Sequence, residues 1–349
     1  MNARALLLAL CLAGPGLAQG FADLGQGGAG FAQARRRALE FPADHGAHPD
    51  FRIEWWYLTA SLTGADGRDY GAQWTLFRSA LAPGEAAGWA SPQLWMGHAA
   101  VTSADTHLVA EKLARGGIGQ AGVLPAPFAA WIDDWQMRGR PTPGVDALAG
   151  LELSAAGEGF AYALTLEATG PVVAQGEAGY SVKSAQGQAS HYYSQPFYRV
   201  AGNLTLGGER VAVKGEAWLD HEWSSQPLAT DQTGWDWFAL QLDGGARLMA
   251  FRLRGGGAAF VSGTWIDANG SPTMLPPGAL TLSPLDTAAV AGRKLAVAWR
   301  LAAPARGLDV VVQALNPQAW MATSVPYWEG PIRVSGSHKG RGYLEMTGY

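Results

Sequence analysis

The sequence predicts an all-β protein built as two antiparallel barrel-like units. Three observations carry this expectation. Glycine (47) and tryptophan (15) are abundant while only 15% of the 349 residues are charged, which suits short strands and tight turns better than charged helix faces. From Phe51 onward apolar residues recur with a period close to two, and no segment holds a 3.6-residue period over three turns. The length suffices for two units of about 100 to 200 residues each.

Residues 1–18 read as a secretory signal: Arg4, an apolar run from Ala5 to Ala13, a breaker at Pro15 and the small-residue pattern Gly16-Leu17-Ala18 before the expected cut. Leu10 precedes Cys11, so the lipoprotein pattern is not met. Cys11 is the only cysteine and leaves with the signal, which removes disulfides, thiolate nucleophiles and sulfur metal ligands. Residues 19–40, rich in Gly and Ala and carrying Arg35-Arg36-Arg37, read as a flexible linker or at most a short helix. A first unit is expected over 41–225 and a second over 226–349.

The first strand, FRIEWWYLTASL, places Glu54, Trp56 and Leu58 on one face and Trp55 and Tyr57 on the other. Gly64-Ala65-Asp66-Gly67 then turns it into YGAQWTLFR, a hairpin. The following strands are LWMGHAAVTS, THLVAEKLA, AAWIDDWQM, LELSAA, FAYALTLEA, HYYSQPFYRVAGNLTL and RVAVKGEAWLDHEW. A second Trp-rich hairpin, GWDWFALQLDGGARLMAFRLR, repeats the look of the first and opens the second unit near residue 230. AAFVSGTWID, LAVAWRLAA, LDVVVQAL, WEGPIRVSG and GYLEMTGY complete about sixteen strands, enough for two sheets.

A net charge of −4 without a long basic run argues against nucleic acid as a partner. Gly25-x-Gly27-x-x-Gly30 and Gly117-x-Gly119-x-x-Gly122 match a dinucleotide fingerprint, but neither follows a strand and opens a helix. No G-x-S-x-G elbow occurs, and Ser225 stands where a zincin that begins at His221-Glu222 needs its second His. His45, His48 and a carboxylate could form a metal site; the alternative is a loop in which Asp44 and these histidines fix the approach to the first strand, and no metal or other cofactor is expected.

Alternation puts Glu216, Trp218, Asp220 and Glu222 on one face and Ala217, Leu219 and His221 on the other. A carboxyl flanked by tryptophans on an inner face loses water, so its pKa rises and it is able to act as an acid. The alternative for Glu54 or Asp220 is a buried ion pair with an arginine such as Arg52, Arg78 or Arg252.

FPADHGAHPDFRIEWWYLTASL, GEAWLDHEWSSQPL, GWDWFALQLDGG and YWEGPIRVSGSHKGRGYLEMTGY resemble signature blocks of the AttH-like and carotenoid 1,2-hydratase (CrtC) family of lipocalin-like proteins, often called predicted secreted hydrolases; they span Phe41 to Tyr349. The resemblance implies two lipocalin-like β-barrel domains packed together, with a pocket for a hydrophobic molecule. In the carotenoid hydratases it points to an acid–His–aromatic set that matches His191, Tyr193, Trp218 and Asp220 here, with the His and the Asp 29 residues apart. Tyr193 replaces a Trp and Trp218 a Tyr of that pattern; these exchanges and the export signal point to the exported AttH-like branch.

Together these readings give a periplasmic or secreted protein that binds a hydrophobic small molecule, a lipid or polyene, with contact to the membrane surface or export machinery a further expectation. Acid-catalysed hydration of a C=C bond is the activity expected. Asp220 would donate the proton and His191 set its charge, with Tyr193, Trp218, Glu54 and Trp56 at the substrate. A non-catalytic carrier, or a hydrolase without a recognisable nucleophile, are the alternatives. An unbulged hairpin across Gly207-Gly208 would pair positions summing to about 415, setting Tyr193 opposite Glu222 and bringing His191 near Asp220. N-terminal sequencing of the exported protein should read from Gln19; a chain that still starts at Met1 contradicts the signal.

Overall fold

The computed structural model describes residues 30–140 and 142–349, so the signal and its cut site lie outside the described residues. Described residues contain 3-10 turns but no α-helix, and every strand pair is antiparallel. Residues 31–40 of the expected linker run as irregular chain rather than a helix.

Two large sheets account for the fold, one of 13 strands forming a nearly closed barrel and one of 10 strands forming a half-barrel. The alternating apolar residues of both pack inward as lipocalin-like units. Both sheets share a plan. Ile53–Gly64 pairs on one side with its hairpin partner Asp69–Ala80 and on the other with Glu209–Ser224, the last strand of its own sheet. Gln232–Leu242 likewise lies between its hairpin partner Arg247–Gly255 and the last strand of the second sheet, Gly340–Met346. Each sheet thereby closes its first strand against its last.

The described residues form 25 strands, more than the sixteen or so expected, and LAVAWRLAA divides at Val297 between Arg293–Ala296 and Ala298–Ala303 of different sheets. Two further elements also differ from the sequence reading. AAWIDDWQM, expected as one strand, is a hairpin of Phe128–Ile132 and Trp135–Gly139, because Asp133 takes a left-handed φ of 51° that short polar side chains tolerate. In the hairpin across Gly207-Gly208, Leu206 pairs with Glu209 and Tyr198 with Ala217 as expected, but the register shifts between Gln195 and Tyr198. Beyond the shift Tyr193 faces His221 and Ser194 faces Asp220. Pro196 lies in the gap; without an N–H it cannot continue the ladder, and an extra residue is the usual accommodation.

The sheets pack through Tyr57, Tyr192, Phe197 and Trp218 of the first and Trp237, Phe251, Ile266 and Tyr343 of the second. At Gly71 the approach is so close that a Cβ would fall 2.3 Å from the Tyr343 hydroxyl and 2.7 Å from the Pro331 ring. Gly71→Val should therefore cost about 1–3 kcal/mol of stability in urea unfolding, since neither neighbour can retreat without parting the sheets; an unchanged midpoint would contradict this packing.

Candidate functional site

The paired strands Ile53–Gly64 and Glu209–Ser224 form a wall with two unlike polar faces. Inside the first barrel lies a network centred on Glu54, which is fully buried. Its Oε1 accepts from His48 Nδ1 (2.6 Å) and His221 Nε2 (2.8 Å), and its Oε2 from Arg78 Nε (2.8 Å) and the His48 amide (2.9 Å). Burial pushes the Glu54 pKa up, but His48, Arg78 and His221 outweigh it and hold the carboxylate well below its usual range. Burial also opposes a charge on His48; Glu54 and Asp44, one on each ring nitrogen, overcome that and raise its pKa. Trp223 stacks on this imidazole at 3.9 Å and Trp56 on His221 at 4.5 Å.

His48, Glu54 and His221 form the one group among the described residues whose donor atoms converge enough for a metal, within 4.8 Å of one another. Those atoms are already spent on one another: His48 turns each ring nitrogen toward a carboxylate, and Arg78 occupies the second Glu54 oxygen. The donor set suits a proton-bonded network, not a cation. The approach loop is fixed as expected, Asp44 accepting from Arg37 and the Glu40 amide while the His45 carbonyl accepts from Trp56 Nε1.

The shifted register puts His191 and Tyr193 on this interior face. The Tyr193 hydroxyl lies 2.8 Å from His45 Nδ1 and 3.0 Å from His221 Nδ1. His191 stacks on Trp223 at 5.1 Å, its Nδ1 buried without a hydrogen bond, and burial drops its pKa to about 4. Of the six residues singled out in the sequence, Glu54, Trp56, His191 and Tyr193 thus share one face and Trp218 and Asp220 the other. The expected convergence of His191 and Tyr193 on Asp220 does not form.

Asp220 instead faces the second sheet, at the wall of a cavity of about 350 Å³ lined mainly by aromatic and aliphatic side chains, among them Trp55, Tyr57, Trp95, Trp235, Trp237 and Phe251. Its Oδ1 accepts from Ser194 Oγ (2.5 Å) and Trp218 Nε1 (2.6 Å), and its Oδ2 from the Tyr192 hydroxyl (2.7 Å). All three donors are neutral. Burial therefore dominates and lifts the Asp220 pKa to about 7, the hydrogen bonds pulling down and nearby Glu222 adding repulsion. Two donors fill Oδ1 while Oδ2 takes one, which leaves Oδ2 as the place for a proton. Glu222 is held by Lys183 Nζ at 2.7 Å and by the Ser190 hydroxyl. Tyr192 and Ser194 were missed in the sequence because the one-residue shift exchanges the faces of HYYS.

The wall of the cavity that belongs to the second sheet carries Glu345, whose Oε1 accepts from Trp235 Nε1 at 2.5 Å. Burial raises its pKa to about 7, Trp235 opposing and Asp220 adding repulsion. Nothing in the sequence reading pointed to it, although it alternates with apolar residues in YLEM as Asp220 does in WLDHE.

A crystal structure of an AttH protein from Nitrosomonas europaea has the same fold, with 33% identity over 90% of this chain and 98% of that one and a TM-score of 0.79. Kievitone hydratase from Nectria haematococca shares the fold at 17% identity, 91% and 98% coverage and a TM-score of 0.67. Among curated proteins none matches the chain. The AttH-like family model matches residues 32–349, nearly every described residue, and the chain belongs to the AttH-like family.

Proposed function

We propose that this is an exported protein that takes a hydrophobic small molecule into the cavity between its sheets and adds water across one of its C=C bonds, with Asp220 as the proton donor. The observation that carries the reading is a buried carboxyl, held only by neutral donors, at the wall of an apolar cavity of about 350 Å³. That size suits a small organic ligand. A pKa of about 7 leaves Asp220 protonated in a large fraction of molecules at neutral pH and still acidic enough to transfer its proton. In the step, the Asp220 O–H bond breaks and a C–H bond forms at one alkene carbon, leaving a carbocation and an Asp220 carboxylate. The faces of the surrounding aromatic rings stabilise that cation. Water then adds its oxygen to the cationic carbon and releases a proton. Family membership and a fold shared with a protein named as a hydratase support the reading, and the export signal read in residues 1–18 supports a periplasmic or secreted site of action.

A carrier without chemistry would use the same cavity, and Asp220→Asn separates the two. Hydration of prenyl alcohols of ten to twenty carbons with a terminal trisubstituted double bond, read by mass spectrometry, should be lost. Binding of the neutral dye N-phenyl-1-naphthylamine should be kept within about twofold of the parent protein, because the apolar walls are untouched. An unchanged hydration rate refutes Asp220 as the acid.

The same substitution has a signed effect on stability. The Asp220 carboxyl takes up its proton more readily folded, at about 7, than unfolded, near ~3.9, so its protonation favours the fold. The parent protein therefore loses stability as pH rises through this window and levels off above it. Asp220→Asn should stabilise the chain in urea unfolding at about pH 8 and give no such gain at about pH 4.

A further inference from the structure

Acid alone does not finish a hydration, since the added water must lose a proton. The second sheet offers a group for this. Glu345 on Gly340–Met346 pairs directly across the ladder with Glu329 on Tyr327–Gly336, and both side chains are buried. Two carboxyls so placed on one face repel when both are charged. Neither has a basic partner among the described residues: Glu345 accepts from the Trp235 indole, and both Glu329 oxygens are buried with no close hydrogen bond. The titratable groups around the pair are Tyr57, Tyr162, Asp220 and Glu222 of the first sheet and Tyr327 and Tyr343 of the second. Tyr57 stands opposite Asp220 on the neighbouring strand, its buried hydroxyl turned toward the glutamates. The pair and Asp220 thus approach one cavity from different sheets, and Glu345 and Asp220 both line it.

We propose that Glu345, backed by Glu329, is the proton acceptor of this cavity, taking the proton of the water that adds to the carbon left cationic by Asp220. The inference rests on the hydration reading above. As the C–O bond forms, the water O–H bond breaks and its proton passes to the Glu345 carboxylate; the turnover leaves Asp220 one proton short and Glu345 one proton over, and exchange through water restores both. Glu329 has its pKa raised well above the usual range by burial and by Glu345, so it keeps its proton and Glu345 is the member that exchanges near neutrality.

Infrared spectra of the carboxyl C=O stretch between about pH 5 and 9 test the pair without a substrate. The parent protein should show protonated carboxyl at neutral pH, and Glu329→Gln and Glu345→Gln, checked for fold by circular dichroism, should each remove part of it. A parent spectrum with no protonated carboxyl, or one that neither variant alters, overturns the proposal. With the prenyl alcohol panel, the parent's rate should fall on both sides of neutrality, and Glu345→Gln should lower it at least about 100-fold while abolishing the fall on the acid side. A general loss of structure would not move that limb. A Glu345→Gln profile that keeps the acid limb refutes the base role alone; a parent protein inert on the whole panel, with the infrared result as expected, refutes hydration and the base role while leaving the carboxyl pair in place.

Discussion

Burial of carboxyl groups on both faces of one two-stranded wall is the constraint from which the rest of the molecule follows. Glu54 and Asp220 sit on adjacent strands, Ile53–Gly64 and Glu209–Ser224, and both are removed from water. Their compensation differs in kind. Glu54 meets a guanidinium and two imidazoles and is fixed as a carboxylate, whereas Asp220 meets two hydroxyls and an indole, which relieve lone pairs without supplying charge. Equal burial thus yields a permanently charged brace on one face and a group poised to exchange a proton on the other.

The double-sheet architecture covers that second face. A single barrel would leave Trp55, Tyr57, Trp218 and Asp220 on its outer surface, exposed to solvent, and the Asp220 pKa would relax toward an ordinary carboxylate. The second sheet covers this face with Trp235, Trp237 and Phe251, and Trp237 Nε1 donates to the Tyr192 hydroxyl at 3.2 Å, the same hydroxyl that donates to Asp220. Packing of the units and tuning of the acid are therefore one event. The same cover delivers Glu345, so acidic groups of unlike origin line one cavity that neither sheet forms alone.

The fold and the division of faces were legible in the sequence because period-two alternation is a local property: Trp218 with Asp220, and Glu54 with Trp56, stand as alternation alone assigns them. Pairing was legible only as far as the chain stayed regular. From Gly207-Gly208 back to Tyr198 the register follows the turn, and one extra residue at Pro196 then exchanges every side chain beyond it. A proline inside an otherwise clean strand was the available signal. Glu329 and Glu345 were hidden differently: each reads as a lone glutamate in an apolar strand, and their opposition exists only once Tyr327–Gly336 and Gly340–Met346 pair. The aromatic and carboxyl content of the second unit was visible; which residues face the first unit depends on packing that no local pattern contains.

The same shift separates two ways in which a residue bears on the acid. His191 and Tyr193 line the barrel interior, and strand alternation keeps their side chains on the far side of the wall from the Asp220 carboxyl. Their connection to it runs through the backbone of Glu209–Ser224. Tyr193 holds His221, His221 holds Glu54, and His221 is the residue directly after Asp220. A side chain clamped between Tyr193, Glu54 and the ring of Trp56 fixes its own backbone, and with it the direction in which its neighbour points. Asp220 needs that fixity, because three donors converge on it from two strands and a displacement of its backbone would disturb all three bonds together. Under the proposed hydration, the interior histidine network is thus the positioning half of the site and the cavity between the sheets the chemical half, joined through one strand whose alternate residues serve each.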